Sequence, residues 1–157
     1  MTQQTEILLA IRAVRKLYHT VCEPVRRQYG VTQPEIEVIA FLANTAGYDM
    51  ASDIVQLRML PKANVSQAVE SLILKGWLIR RPDAHDRRRV HLALSDSAQP
   101  LAREIRQARE WFGQRLFSGL LPKEQEQYAA LSRRILQNAT GNTERNMEPC
   151  NRKTMTF

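Results

Sequence analysis

Between Glu6 and Gln28 the apolar residues Ile7, Ile11, Val14, Tyr18, Val21 and Val25 recur at steps of four and three. This spacing predicts a long first helix with a coiled-coil-like seam that calls for a partner. Pro24 lies inside the pattern, where the missing N–H predicts a bend or an end one turn early. Gly30 then reads as a helix stop, and Thr32-Gln33-Pro34-Glu35 reads as a capping box. A second helix is expected from about Gln33 to Leu42, burying Ile36, Ile39 and either Phe41 or Leu42. Asn44 to Asp49 is turn-like through Gly47, and Met50 to Leu57 reads as a short third helix carrying Ile54 and Val55 inward. Pro61 opens a fourth helix, where its lost donor does no harm, and Gly76 ends it.

The period then changes from helical to alternating. Trp77 to Arg81 and Val90 to Leu94 read as short strands, Val90, Leu92 and Leu94 alternating with polar or small residues. Between them Pro82 to Arg89 forms a charged hairpin tip. Either Ser95 or Ser97 can cap a fifth helix, and Pro100 favours Ser97 because it then falls in the first turn. That helix carries Leu101, Ile105, Ala108, Phe112 and Leu116 on one face. Ser118-Gly119 breaks it, and Pro122 starts a sixth helix with Tyr128, Leu131 and Ile135. The expected fold is mainly α with a small β-hairpin wing: a winged helix-turn-helix plus a helical dimerisation region, six helices in all. The winged lobe is placed at about 33–95, between flanking helices at about 5–28 and 97–138. Residues 139–157 are polar and aperiodic and are expected to be a disordered tail.

With 157 residues the chain is long enough for one domain with a real core. Its net charge of +7 is permissive for polyanionic partners. The N-terminus lacks a basic leader, and no continuous apolar stretch approaches the ~18 residues of a membrane span. Cys22 and Cys150 lie far apart and form no metal or disulfide spacing. These features give the expectation of a soluble cytoplasmic protein without cofactor, metal or membrane partner. His19, His85 and His91 are likewise too dispersed for a metal motif. The sequence has neither a phosphate-binding Gly-rich loop nor a nucleophile elbow, so it reads as a non-enzyme.

The fourth helix carries chemistry on its outer face. Val65, Ala68, Val69 and Leu72 form an apolar stripe, leaving Lys62, Asn64, Ser66, Gln67 and Ser71 on other faces. Short hydrogen-bonding side chains of this kind suit a helix lowered into a major groove. The hairpin tip strengthens that reading, since Arg80 to Arg89 holds five arginines against two aspartates on a loop unable to bury them. Guanidinium is permanently charged and forked to match phosphate oxygens. The bland alternatives are a solvated amphipathic helix and a solvated charge run, but here the two follow each other directly.

The segment from Leu72 through Gly76, Asp83, Asp86 and Arg88 to Leu94-Ser95 resembles the recognition-helix end and wing of the MarR family. The resemblance extends over about residues 5–138. Ser95 replaces a usual Thr, and Ala98 a common Gly. The resemblance implies that Asp86 and Arg88 pair to brace the wing, with Arg87 and Arg89 free to reach DNA and Arg88 on the same DNA-facing tip. Asn64, Ser66 and Gln67 take the base-facing role, and the first, fifth and sixth helices form a homodimer interface. It also implies a small-molecule effector between the dimer helices and the DNA-binding lobe, for which Tyr18, His19, Tyr29 and Trp111 are the candidates. Cys22 is a redox candidate, with Arg26 one turn away as its electropositive neighbour, although a buried packing role is the simpler account.

The resulting functional expectation is a transcriptional regulator: a ligand- or oxidant-responsive homodimeric repressor on a pseudo-palindromic operator in double-stranded DNA. The alternative is a winged-helix interaction module whose basic wing binds an acidic protein.

Overall fold

A computed structural model describes residues 1–141, which form two units, Met1–Leu116 and the segment from Phe117 onward. In the first unit, helix α1 spans Gln3–Tyr29, capped by Thr2, whose side-chain oxygen accepts from the Thr5 amide. It continues past Pro24 without ending early. Val21, Cys22 and Val25 are buried on either side of the proline, so packing holds the helix despite one lost donor. Gly30 ends it with φ +63°, a left-handed conformation that favours glycine.

Helix α2 covers Gln33–Asn44, two residues beyond the expected end. The predicted capping box is present: the Thr32 amide donates to Glu35 Oε2 at 2.7 Å, and the Glu35 amide donates to Thr32 Oγ1 at 3.4 Å. Phe41 is the buried partner of Ile36 and Ile39, whereas Leu42 is half-buried. Helix α3 (Ala51–Arg58) is followed by Met59 in the left-handed region at φ +53°. Helix α4 (Lys62–Leu74) follows Pro61 and buries Val65, Ala68, Val69 and Leu72, the stripe read from the sequence.

Strands β1 (Leu78–Pro82) and β2 (Val90–Leu94) pair antiparallel, with Leu78 opposite Leu94 and Pro82 opposite Val90. A 3₁₀ turn at Asp96–Ala98 leads into α5 (Gln99–Leu116). Ser97 therefore does not cap α5. Both its hydroxyl and that of Ser95 instead donate to the Gly76 carbonyl, at 3.1 and 2.7 Å, stitching this turn to the end of α4. The core joins Ile36, Ile39, Phe41, Ile54, Leu72, Leu101 and Ile105, each fully buried side chain contributing about 1.5–3 kcal/mol. Helices α1 and α5 pack together, Tyr18 meeting Phe112 edge-on with ring centroids 5.1 Å apart.

In the second unit, α6 spans Pro122–Gly141, three residues past the expected 138 boundary. Its start is fixed by Glu124, which accepts from the Leu121 amide at 2.7 Å, and Phe117 packs edge-on against Tyr128. The rest of the expected tail, with Cys150, lies outside the described residues. Among those described, no helix is long and apolar enough to cross a membrane.

Candidate nucleic-acid interface

Four of the predicted base-facing or backbone-facing residues of α4 stand in solvent: Lys62, Asn64, Ser66 and Gln67 are all exposed. Ser71 differs. It is half-buried and its hydroxyl hydrogen-bonds the Glu35 carboxylate, so it serves the interior of the lobe. The far end of α4 is clamped. Lys75 Nζ donates to Glu35 Oε1 at 2.9 Å and Oε2 at 3.1 Å, and to the Gly30 carbonyl at 3.0 Å. Glu35 is only 1% exposed. Burial alone would raise its pKa, but the Ser71 hydroxyl, the Thr32 amide and the Lys75 ammonium together hold it below the ordinary carboxylate value. One ion pair thus joins the ends of α1 and α4 to the start of α2.

The wing rises beside α4, to which it is tied by an ion pair between Arg80 and Glu70. Its tip is built by aspartates. Asp83 Oδ1 accepts from the amides of His85 at 2.7 Å and Asp86 at 2.9 Å, while Asp86 Oδ1 accepts from the Arg88 amide at 2.9 Å. The expected contact between Asp86 and Arg88 is thus made through the backbone amide, not the guanidinium. Arg87, Arg88 and Arg89 are all exposed, and their guanidinium groups enter no ion pair among the described residues.

The principal brace of the wing gives His91, Asp83 and Asp49 a role that sequence reasoning did not assign. His91 Nε2 lies 2.9 Å from Asp83 Oδ2, and His91 Nδ1 lies 2.6 Å from Asp49 Oδ1 in the α2–α3 loop. Carboxylate oxygens only accept, so both ring nitrogens donate and the ring is an imidazolium. Asp83 and then Asp49 raise the His91 pKa, and hydrogen bonds from His91 and the two amides push Asp83 well below its ordinary value. The Leu92 amide adds a 2.7 Å bond to the Asp49 carbonyl, fastening β2 to the same loop.

Three of the four effector candidates fall at three separate ring contacts. Tyr18 lies against Phe112, Tyr29 against Trp77 with centroids 6.2 Å apart, and Trp111 beneath the Arg115 guanidinium. His19 is exposed, its carbonyl accepting from Arg26. Burial, followed by the nearby Glu37 carboxylate, raises the Tyr18 pKa. Cys22 is 1% exposed, and burial pushes its thiol up. Arg26 is committed to Glu23 and to the His19 carbonyl, so the exposed electropositive setting of a reactive thiolate is missing.

Residues 29–89 match the sequence profile of the MarR family. An uncharacterized HTH-type transcriptional regulator of Bacillus subtilis strain 168, YkoM, is 30% identical over 105 residues, covering 67% of this chain and 68% of that protein. Two solved structures share the fold. The S. aureus MepR–DNA complex superposes with a TM-score of 0.71 at 22% identity, over 88% of this chain and 98% of that one. Bordetella bronchiseptica BpsR, described for regulation of its DNA binding by 6-hydroxynicotinic acid, gives 0.68 at 21% identity, over 83% and 98%.

Proposed function

The chain belongs to the MarR family of DNA-binding transcriptional regulators, and on that premise we propose that it is a homodimeric repressor of a pseudo-palindromic operator, released by a small-molecule effector. The observation that carries this reading is the exposed row Lys62, Asn64, Ser66 and Gln67 on α4 beside three unpaired arginines at the wing tip. Asn and Gln match adenine edges in a major groove, and Arg matches phosphate or a narrow minor groove.

A homodimer is supported by apolar surface that each unit leaves open. Ile7 is 50% and Ile11 59% exposed on α1, and Leu131 and Ile135 on α6 are 56% and 63% exposed. Two copies about a two-fold axis would set half-sites about one helical turn apart, roughly 10 base pairs. A small-molecule signal is supported by BpsR, whose DNA binding is described as regulated by 6-hydroxynicotinic acid, and the buried Cys22, whose thiol burial pushes up, gives no support to an oxidant signal.

The test is binding to an operator duplex and to a mixed-sequence duplex across a salt series. Counterion release predicts a steep fall of affinity with salt for both and a wide gap between them. A flat salt response would overturn DNA binding by this face and favour an acidic protein partner.

A further inference from the structure

Two successive residues just past the end of α4, Lys75 and Gly76, are tied to two other helices. Lys75 Nζ donates to the Gly30 carbonyl, at the end of α1, at 3.0 Å, and to the two Glu35 carboxylate oxygens at 2.9 and 3.1 Å. An ammonium group has three N–H donors, and here three acceptors take them. The same cation lies 5.7 Å from the centre of the Trp77 ring, which meets Tyr29 of α1 edge-on. One residue on, the Gly76 carbonyl accepts from the hydroxyls of Ser95 and Ser97, just ahead of α5, and the Ser95 amide donates to the Trp77 carbonyl at 3.0 Å. Helices α1 and α5 pack on each other, so the end of one and the approach to the other meet α4 at a single junction. Adhesion does not account for its ionic part. A buried carboxylate with its cation rarely holds better than apolar side chains of the same volume, but its hydrogen bonds have directions, which apolar contacts lack. Ridge-and-groove packing by itself accepts crossing angles scattered by about 15–20°.

We propose that Lys75, engaged by Glu35 and Gly30, is a positioning residue that fixes the angle of α4 against the α1–α5 pair, and thereby the separation at which the two reading helices of a dimer meet DNA. The second half of this statement rests on the homodimeric, operator-binding reading given above. The magnitudes favour it. Helix α4 has 13 residues and is about 20 Å long, so a swing of about 10° around the junction moves its Lys62 end by roughly 3 Å, close to the ~3.4 Å rise of one base pair. The exposed seam residues Ile7 and Ile11 stand on the same α1 whose other end Lys75 holds, so a two-fold axis at that seam is linked to α4 by one continuous helix. Lys75 lies at the opposite end of α4 from Lys62 and Asn64, and its donors are engaged, so it acts through the orientation of the helix and not on a base.

The experiment compares the intact protein with the double variant Lys75→Met, Glu35→Gln, which removes both charges while the new amide oxygen still accepts from the Thr32 N–H. Lys75→Gln with Glu35→Gln is the milder pair should the first unfold, and Lys75→Arg keeps the charge and its donors. Residual dipolar couplings of backbone amides, recorded without DNA, should fit α1, α4 and α5 of the wild type to one alignment tensor. In the double variant each helix should still fit by itself, but α4 should need a tensor of reduced magnitude, and Lys75→Arg should restore the common one. Selection from a random-sequence duplex library should enrich paired half-sites at one spacing for the wild type. The double variant should enrich the same half-site sequence with the preference for that spacing reduced about tenfold. A common tensor kept by the double variant, or a spacing as sharp as that of the wild type, would overturn the proposal, and a changed half-site sequence would overturn action through orientation. Absence of paired half-sites with the wild type would sink the homodimeric operator reading instead, and the couplings, which involve no DNA, would still decide whether Lys75 sets the angle of α4.

Discussion

His91 Nδ1 lies 2.6 Å from Asp49 Oδ1, a contact across 42 residues that fastens the second strand of the wing to the loop between α2 and α3. The charged ring is the bonded form. The folded pKa of His91 is raised above its ordinary 6.5, so its stabilisation is complete below that value and is lost as pH rises through the folded pKa. Asp83 is lowered from its ordinary 3.8, so its contribution is present above that value and is lost as pH falls through the folded pKa. The brace is therefore strongest between about pH 4 and 6.5, and the His91 part declines above 6.5 until it is lost past the raised folded pKa. Wing amide protection in hydrogen exchange should fall above that window, and His91→Asn should abolish the dependence. An unchanged pH profile in the variant would show that the brace does not govern the wing.

Lys75 and Glu35 form the second long-range tie. Replacing Lys75 with Met leaves a 1% exposed carboxylate without its cation and should cost about 2 kcal/mol. Denaturant unfolding measures it, and the double variant with Glu35→Gln should recover part of the loss. Additive single effects would mean that the two residues are not coupled.

At the wing tip, Arg87→Ala with Arg89→Ala should weaken binding to all duplexes about equally and reduce the slope of log affinity against log salt by about 2. Asn64→Ala or Gln67→Ala should instead alter preference among operators by about 1–3 kcal/mol per lost bidentate contact. A competition series over single-base operator variants separates the two outcomes. If the α4 variants lose affinity evenly, bases are not read there.

Ile7→Glu with Ile11→Glu tests the dimer without touching the core, since both side chains are half exposed or more. Sedimentation should show a monomer with an unchanged circular dichroism spectrum, and operator affinity should drop by on the order of a hundredfold as the second half-site contact is lost. A dimer that survives both charges would move the interface away from this end of α1.

Much of this architecture was legible locally. Thr32 and Glu35 are three residues apart and announce the start of α2, and the Val65, Ala68, Val69, Leu72 stripe fixes which side of α4 is buried. The seam from Ile7 to Val25 was legible as a pattern, but only its second half, Val21 and Val25, enters the core of one chain. The brace and the clamp were not legible, because His91 with Asp49 and Lys75 with Glu35 meet only once the chain has folded, and a lone histidine or lysine carries no spacing signal. Two local expectations were not met, the early end at Pro24 and the cap at Ser97. In the first case flanking burial outweighs one lost hydrogen bond, and in the second the serine hydroxyl finds the Gly76 carbonyl from 21 residues away.

Helix α4 is mounted like a lever fixed at one end. Lys75, just past its last turn, reaches both Glu35 and the Gly30 carbonyl, while Lys62, Asn64, Ser66 and Gln67 project from the opposite end with no clamp on their side chains. On the proposed reading of α4, what the protein reads and what keeps it folded are thus carried by different stretches of one helix. The reading end can be rewritten residue by residue for a new DNA sequence while the mounting stays untouched. Errors at the mounting, by contrast, would tilt every reading side chain together.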